Sequence, residues 1–163
     1  MAARRDHRAV AVFLTPIGYF TCDLSGTPDG VESSGSAGGE RWLSRDWMPG
    51  PVQRLSASST EIDGGEVIVA GRVSDRVRRL VLDHGNGHTT VARLERGVFG
   101  LISDGEVAET AELVAYTADG GEAGRRRLFP PTGADRRCYV DPSGTVVHGD
   151  PDPPCRPAEP WTR

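Results

Sequence analysis

The stretch "LVLDHGNGHTTVARL", Leu80–Leu94, decides the fold. Apolar residues run up to Asp83, "GNG" is a strong tight-turn signal, and "TTVARL" resumes a strand pattern. A hairpin places His84 and His88 on either side of a three-residue loop, where they can face each other. Two imidazoles could then share a metal ion, with Asp83 or His148 as a third ligand. Side chains alternate along a strand, so Asp83 and His84 point to opposite faces and cannot both be ligands without a bulge. The turn accounts for the segment without any chemistry. The expectation is two exposed polar residues bracketing the central hairpin, with His84, His88 and His148 kept as an alternative metal set.

Working outward, residues 60–129 repeat this texture. "EVIVAGRV" alternates, with Val67, Val69 and Val73 on one face. "VRRLVLDH", "TTVARL", "VFGLIS", "AELVAYT" and "RRRLF" follow, separated by Gly-rich turns. Short strands at this spacing predict an antiparallel all-β sandwich or barrel. "DGEVAETAELVAY" also permits a short helix, because Val107, Ala111 and Val114 recur at helical spacing. A loop leading into a strand is the preferred reading. Upstream, "VAVFLTPIGYFTCDL" predicts a hairpin turning on Pro16 and Gly18, so residues 1–24 form an N-terminal hairpin unit that is expected to add strands to the sandwich. Residues 25–40, rich in Gly and Ser, predict a flexible linker. Residues 41–149 hold the sandwich domain, including a last hairpin in "CYVDPSGTVVHG". Residues 150–163 predict an extended Pro-rich tail.

The chain has 163 residues, a length that suits one modest domain. Its 21 glycines and 12 prolines require many turns. The net charge is −4 and every basic residue is arginine, which reads as codon bias in a high-GC genome. An acidic chain with scattered arginines lacks the concentrated basic surface of a nucleic-acid binder. Arg125-Arg126-Arg127 is the one basic run, and it reads as a solvated strand edge. No segment is long and apolar enough to span a bilayer as a helix, and no export signal is recognisable at Met1. Cys22, Cys138 and Cys155 form no CxxC pair. One disulfide is expected, with Cys22–Cys138 the favoured pair because each lies on a hairpin-like segment. Three reduced thiols are the alternative.

Catalytic motifs are missing from the pattern. There is no G-x-S-x-G elbow and no phosphate-binding glycine loop, so no cofactor is expected. Trp42, Trp47 and Met48 cluster in eight residues and read mainly as core cover. Trp42 and Trp47, with Arg76, Arg78 and Arg79, are the best candidates for partner contact.

The run from Val67 to Thr117 resembles small immunoglobulin-like or carboxypeptidase-regulatory-like β-sandwich modules of bacterial extracytoplasmic proteins. The resemblance rests on Gly71-Arg72-Val73, the strand Val77–Leu82, the hairpin His84–His88, Gly97-Val98-Phe99, and Ala115-Tyr116 before Asp119-Gly120. It implies an immunoglobulin-like sandwich and a non-catalytic interaction or structural module, displayed outside the cytoplasm to a protein partner or cell-envelope component. It also implies an oxidising compartment for Cys22 and Cys138. A histidine-based ligand or metal sensor, and a small hydrolase with His84 or His148 beside a serine, are the alternative functions.

Overall fold

The structure is a computed structural model and describes residues 1–27, 29, 33–131, 137–151 and 154–162. Among them every regular element is a strand. In chain order these are β1 (Ala2–Arg5), β2 (Arg8–Leu14), β3 (Gly18–Gly26), β4 (Ser33–Arg41), β5 (Trp47–Met48), β6 (Val52–Glu61), β7 (Gly64–Val73), β8 (Arg79–Asp83) and β9 (Thr89–Val91). The second half holds β10 (Arg93–Glu95), β11 (Val98–Ile102), β12 (Glu112–Tyr116), β13 (Glu122–Arg127), β14 (Tyr139–Val140), β15 (Val146–His148), β16 (Arg156–Pro157) and β17 (Glu159–Pro160).

Three larger sheets stack as layers. The N-terminal sheet has the order β1-β2-β3-β4, the middle sheet β10-β11-β7-β6, and the third β13-β12-β8-β9. All three are antiparallel throughout. β7 explains the layering. Its odd positions Val67, Val69 and Val73 join Phe99 and Leu101 in one core with Leu80, Leu82, Leu113 and Ala115 of the third sheet. Its even positions Ile68 and Ala70 join Val98 and Ile102 in a second core with Val10, Val12, Met48 and Trp161. The expected alternation of this strand is corrected: it is buried on both faces, so both of its faces carry apolar residues. The two sheets meet closely at Gly100, where a Cβ would lie 2.9 Å from the Met1 side chain and 3.1 Å from that of Val10. Arg8 and Glu66 form an ion pair across the same two sheets.

The expected central hairpin is present as β8–β9. The His84 amide donates to the His88 carbonyl at 3.0 Å. Gly85 and Gly87 take φ of 76° and 92°, a region that favours glycine. Asp83 caps the turn by accepting from the Gly85 amide at 2.9 Å. The segment before β12 forms no helix, and Val107 bridges to Gly65 instead.

Three expectations are corrected. The N-terminal hairpin adds no strand to the sandwich sheets; with β1 and β4 it builds its own sheet and covers the middle one. The reading of 25–40 as a linker fails at both ends, because β3 runs to Gly26 and residues 33–41 are strand β4. Small side chains gave that stretch the composition of a linker, yet β3 supplies it with a full ladder; residues 28 and 30–32 of the call lie outside the described residues. The Pro-rich tail is not free. Its β16 pairs parallel to β14, its β17 pairs with β5, and Trp161 is 1% exposed. A proline-containing edge strand needs only part of its backbone paired, so the prolines are compatible with docking.

Candidate functional site

The histidines do not assemble into a metal site. His84 is 1% exposed, and both of its ring nitrogens are engaged. Nδ1 lies 3.1 Å from the Glu106 carbonyl and Nε2 lies 2.8 Å from the Thr90 hydroxyl. The Asp104 amide donates to that same hydroxyl oxygen at 2.9 Å. A carbonyl can only accept, so Nδ1 donates to Glu106. This is a closed network around a buried imidazole. His88 is exposed, and His148 sits beside Tyr139 on the C-terminal hairpin with ring centroids 6.2 Å apart. Among the described residues no group of three or more His, Cys, Asp or Glu could hold a metal ion. The expected exposure of His84 is likewise corrected, and the hydroxyl beside it is a threonine's rather than a serine's.

Trp42 belongs to a clasp. The Arg72 guanidinium lies 4.8 Å from the ring centroids of both Trp42 and Trp161. Arg72 donates through Nε to Gln53 Oε1 at 2.6 Å and through Nη2 to the Trp47 carbonyl at 3.1 Å. Tyr19 stacks on Trp42 with centroids 4.8 Å apart. Arg72 is 3% exposed, so the clasp is internal. Trp47 contributes its backbone to the clasp and lies half-buried on β5. The tryptophans therefore join the segment after β4 and the C-terminal segment to the middle sheet. Sequence reading passed over Arg72; its signal was a charged residue on the Ile68–Ala70 face of an otherwise apolar strand.

Arg76, Arg78 and Arg79 do not share one strand face. Arg76 and Arg78 precede β8, where Arg76 grips Glu159 at 2.8 and 2.5 Å and donates to the Ala123 carbonyl at 3.0 Å. Arg78 binds the Asp75 and Val77 carbonyls. Arg79 lies over the Tyr116 ring at 5.7 Å. Arg125 and its neighbours line a cleft of about 340 Å³ with Pro49, Pro51 and Tyr139. Arg125 is paired with Glu112 at 2.8 Å and Glu122 at 2.7 Å.

The disulfide joins Cys138 to Cys155 with Cα atoms 4.6 Å apart, and Cys22 is free. This corrects the expected Cys22–Cys138 pair. The parallel pairing of β14 with β16 brings Cys138 and Cys155 side by side, whereas Cys22 shares a row with Ala11 and Ala37 on the N-terminal sheet.

That row belongs to the most distinctive surface. Register puts Val10, Val12 and Tyr19 on the inner face and Ala9, Ala11, Phe13, Phe20, Cys22 and Leu24 on the outer one. Phe13 and Phe20 face each other and are each 57% exposed; Leu24 is 56% exposed. Ile17, in the connecting turn, is 66% exposed. Opposite them, β4 presents Gly35, Ala37 and Gly39. A Cβ on Gly39 would lie 2.6 Å from the Phe20 ring, and one on Gly35 would lie 2.7 Å from the Leu24 side chain. Phe20 and Leu24 thus lie across the glycines of the edge strand. In the sequence this face was readable from "VAVFLTPIGYF", which is apolar at both alternating sets of positions.

Among the described residues no helix is long and apolar enough to cross a membrane. Compared with known proteins, the chain matches no protein-family model, no curated protein and no solved structure.

Proposed function

We propose that the chain is a non-catalytic interaction module built around an immunoglobulin-like sandwich, working outside the cytoplasm and docking through the outer face of its N-terminal sheet. The uncovered apolar face carries this reading. Three strands, β2 to β4, about 4.8 Å apart and over seven residues of about 3.3 Å each, give an outer face of roughly 300 Å². A patch of that size lies in the range where exposed apolar surface usually marks a contact. Its partner is a protein or a cell-envelope component with an apolar surface of its own.

Strand order supports the immunoglobulin-like reading. The middle sheet runs β6-β7-β11-β10 and the third β9-β8-β12-β13. Lettering β6–β13 in chain order as A, B, C, C′, D, E, F and G makes these A-B-E-D and C′-C-F-G, the arrangement of that sandwich. The chain changes sheet at Ala92, between β9 and β10, as it does between C′ and D. The Cys138–Cys155 bond supports an oxidising compartment.

An environment-sensitive apolar dye tests the docking face. The folded chain binds the dye, and Phe13→Ser/Phe20→Ser loses most of the signal while its circular dichroism is unchanged. Equal dye binding by the folded double variant refutes the assignment.

A further inference from the structure

The geometry points to a second binding surface, distinct from the apolar face: the free edge of β4 pairs with β4 of another copy of this chain. All nine residues of β4 are exposed. Serine, glycine and alanine are poor strand formers, and no side chain of β4 is buried to compensate. The strand rests on one ladder, that with β3. A second ladder is the available source of further order.

The direction of the unpaired groups is fixed by two hydrogen bonds. The Trp42 amide donates to the Ile17 carbonyl at 3.1 Å, and the Ser36 amide donates to the side-chain Oδ1 of Asp23 on β3 at 2.8 Å. Even-numbered residues of β4 therefore turn their amides toward β3. Alternation turns the N–H and C=O groups of Ser33, Gly35, Ala37, Gly39 and Arg41 away from it. These positions are symmetric about Ala37. A two-fold axis there sets Ala37 against Ala37, Gly35 against Gly39 and Ser33 against Arg41, with about ten ladder hydrogen bonds. Faces match, because odd residues meet odd residues. Glu40 meets Ser34, so no like charges stand opposite, and the small side chains leave nothing to clash.

Other sheet edges are guarded and this one is not. β1 has four residues, and β9 and β10 have three each. β6 carries register shifts at Arg54/Ser56 and Ser59/Glu61. On β13 the Ala123 carbonyl is taken by Arg76. β4 has no proline, no lysine and no register shift. Long unguarded edges are templates for strand addition. The two-fold closes the assembly at two copies and joins the two N-terminal sheets into one of eight strands.

Light scattering on the full chain tests this. Wild type gives about twice the 17.4 kDa chain mass across a hundredfold concentration range. Ala37→Pro removes an outward amide without touching the β3 ladder, and returns a single-copy mass. Ala37→Glu and Ala37→Arg each give the single-copy mass, and mixing the two restores the doubled mass by setting opposite charges across the axis. Amides of Gly35, Ala37 and Gly39 exchange at least tenfold faster in Ala37→Pro than in wild type. A single-copy mass for wild type overturns the proposal, as does a doubled mass that survives both Ala37→Pro and Ala37→Glu. Phe13→Ser, which lies on β2 away from the β4 edge, lowers the dye binding of the apolar face and keeps the doubled mass, so the two surfaces fail separately.

Discussion

Removing the Arg72 side chain should destabilise this protein more than removing any other charged group described above. The guanidinium lies 4.8 Å from each of two indoles whose own centroids are 5.0 Å apart. Desolvated cation–π contacts contribute about 1–2 kcal/mol each. Its bonds to Gln53 and the Trp47 carbonyl are charge-assisted, at about 1.5 kcal/mol or more each, and Arg72→Ala strands both acceptors. Truncation also frees volume beside Trp161, but relaxation recovers part of the loss. A net cost of about 4 kcal/mol follows, in the range where a buried charged network is broken. The assay is urea unfolding followed by tryptophan fluorescence, since two of the three indole rings lie against the Arg72 guanidinium. With a denaturant slope of about 2 kcal/mol per molar, the midpoint falls by about 2 M. Arg72→Lys keeps the charge but loses the planar fork, and should recover less than half of the difference. A midpoint for Arg72→Ala within about 0.5 M of wild type refutes the clasp as a stabilising element.

Three further outcomes are expected. Thr90→Val leaves His84 Nε2 and the Asp104 amide without their shared partner, costing about 2 kcal/mol; nitrogen NMR of His84 should show a proton on Nδ1, and a ring protonated on Nε2 alone contradicts the network. Alkylation without reduction should label Cys22 alone, and reduction should expose Cys138 and Cys155; labelling of all three thiols in the oxidised protein rejects the pairing. Burial, the charge of Glu40 and the hydrogen bond to it at 3.3 Å push the Tyr19 phenol up to about 12. A folded value above the unfolded one of about 10 means this contribution is complete below pH 10 and lost as pH rises toward 12. Stability should hold to about pH 10 and then decline, and Glu40→Ala should bring the Tyr19 absorbance titration down; an unchanged titration argues against that contact.

Much of the sandwich was legible because its signals are local. "GNG" between apolar runs specifies a hairpin whatever surrounds it, and "DPSG" does the same at Asp141, whose carboxylate accepts from the Ser143 and Thr145 amides at 2.9 Å each. The N-terminal layer was harder to read. "SSGSAGGE" has no side-chain pattern, and its strand is specified by β3, not by its own residues. Trp161 sits in a proline-rich sequence that gives no sign of burial, because its docking depends on Arg72, far away in sequence. His84 misled for a related reason. Alternation set it on the face opposite Asp83, but did not show that it would be buried with Thr90 and Glu106 as partners. The candidate surfaces were the least legible, since an uncovered face is defined by what fails to pack on it.

The C-terminal segment also has a mechanical meaning. Pulled from its end, the chain would first load the Trp161 indole, which donates to the Gly97 carbonyl at 2.7 Å, and with it the cation it leans on. Next in line is the Arg76–Glu159 pair, and behind that the covalent Cys138–Cys155 link. Once the two non-covalent fasteners release, the disulfide carries the load straight from Cys155 to Cys138. The β14–β15 hairpin inside that loop is then bypassed, and tension passes by it without stretching its strands.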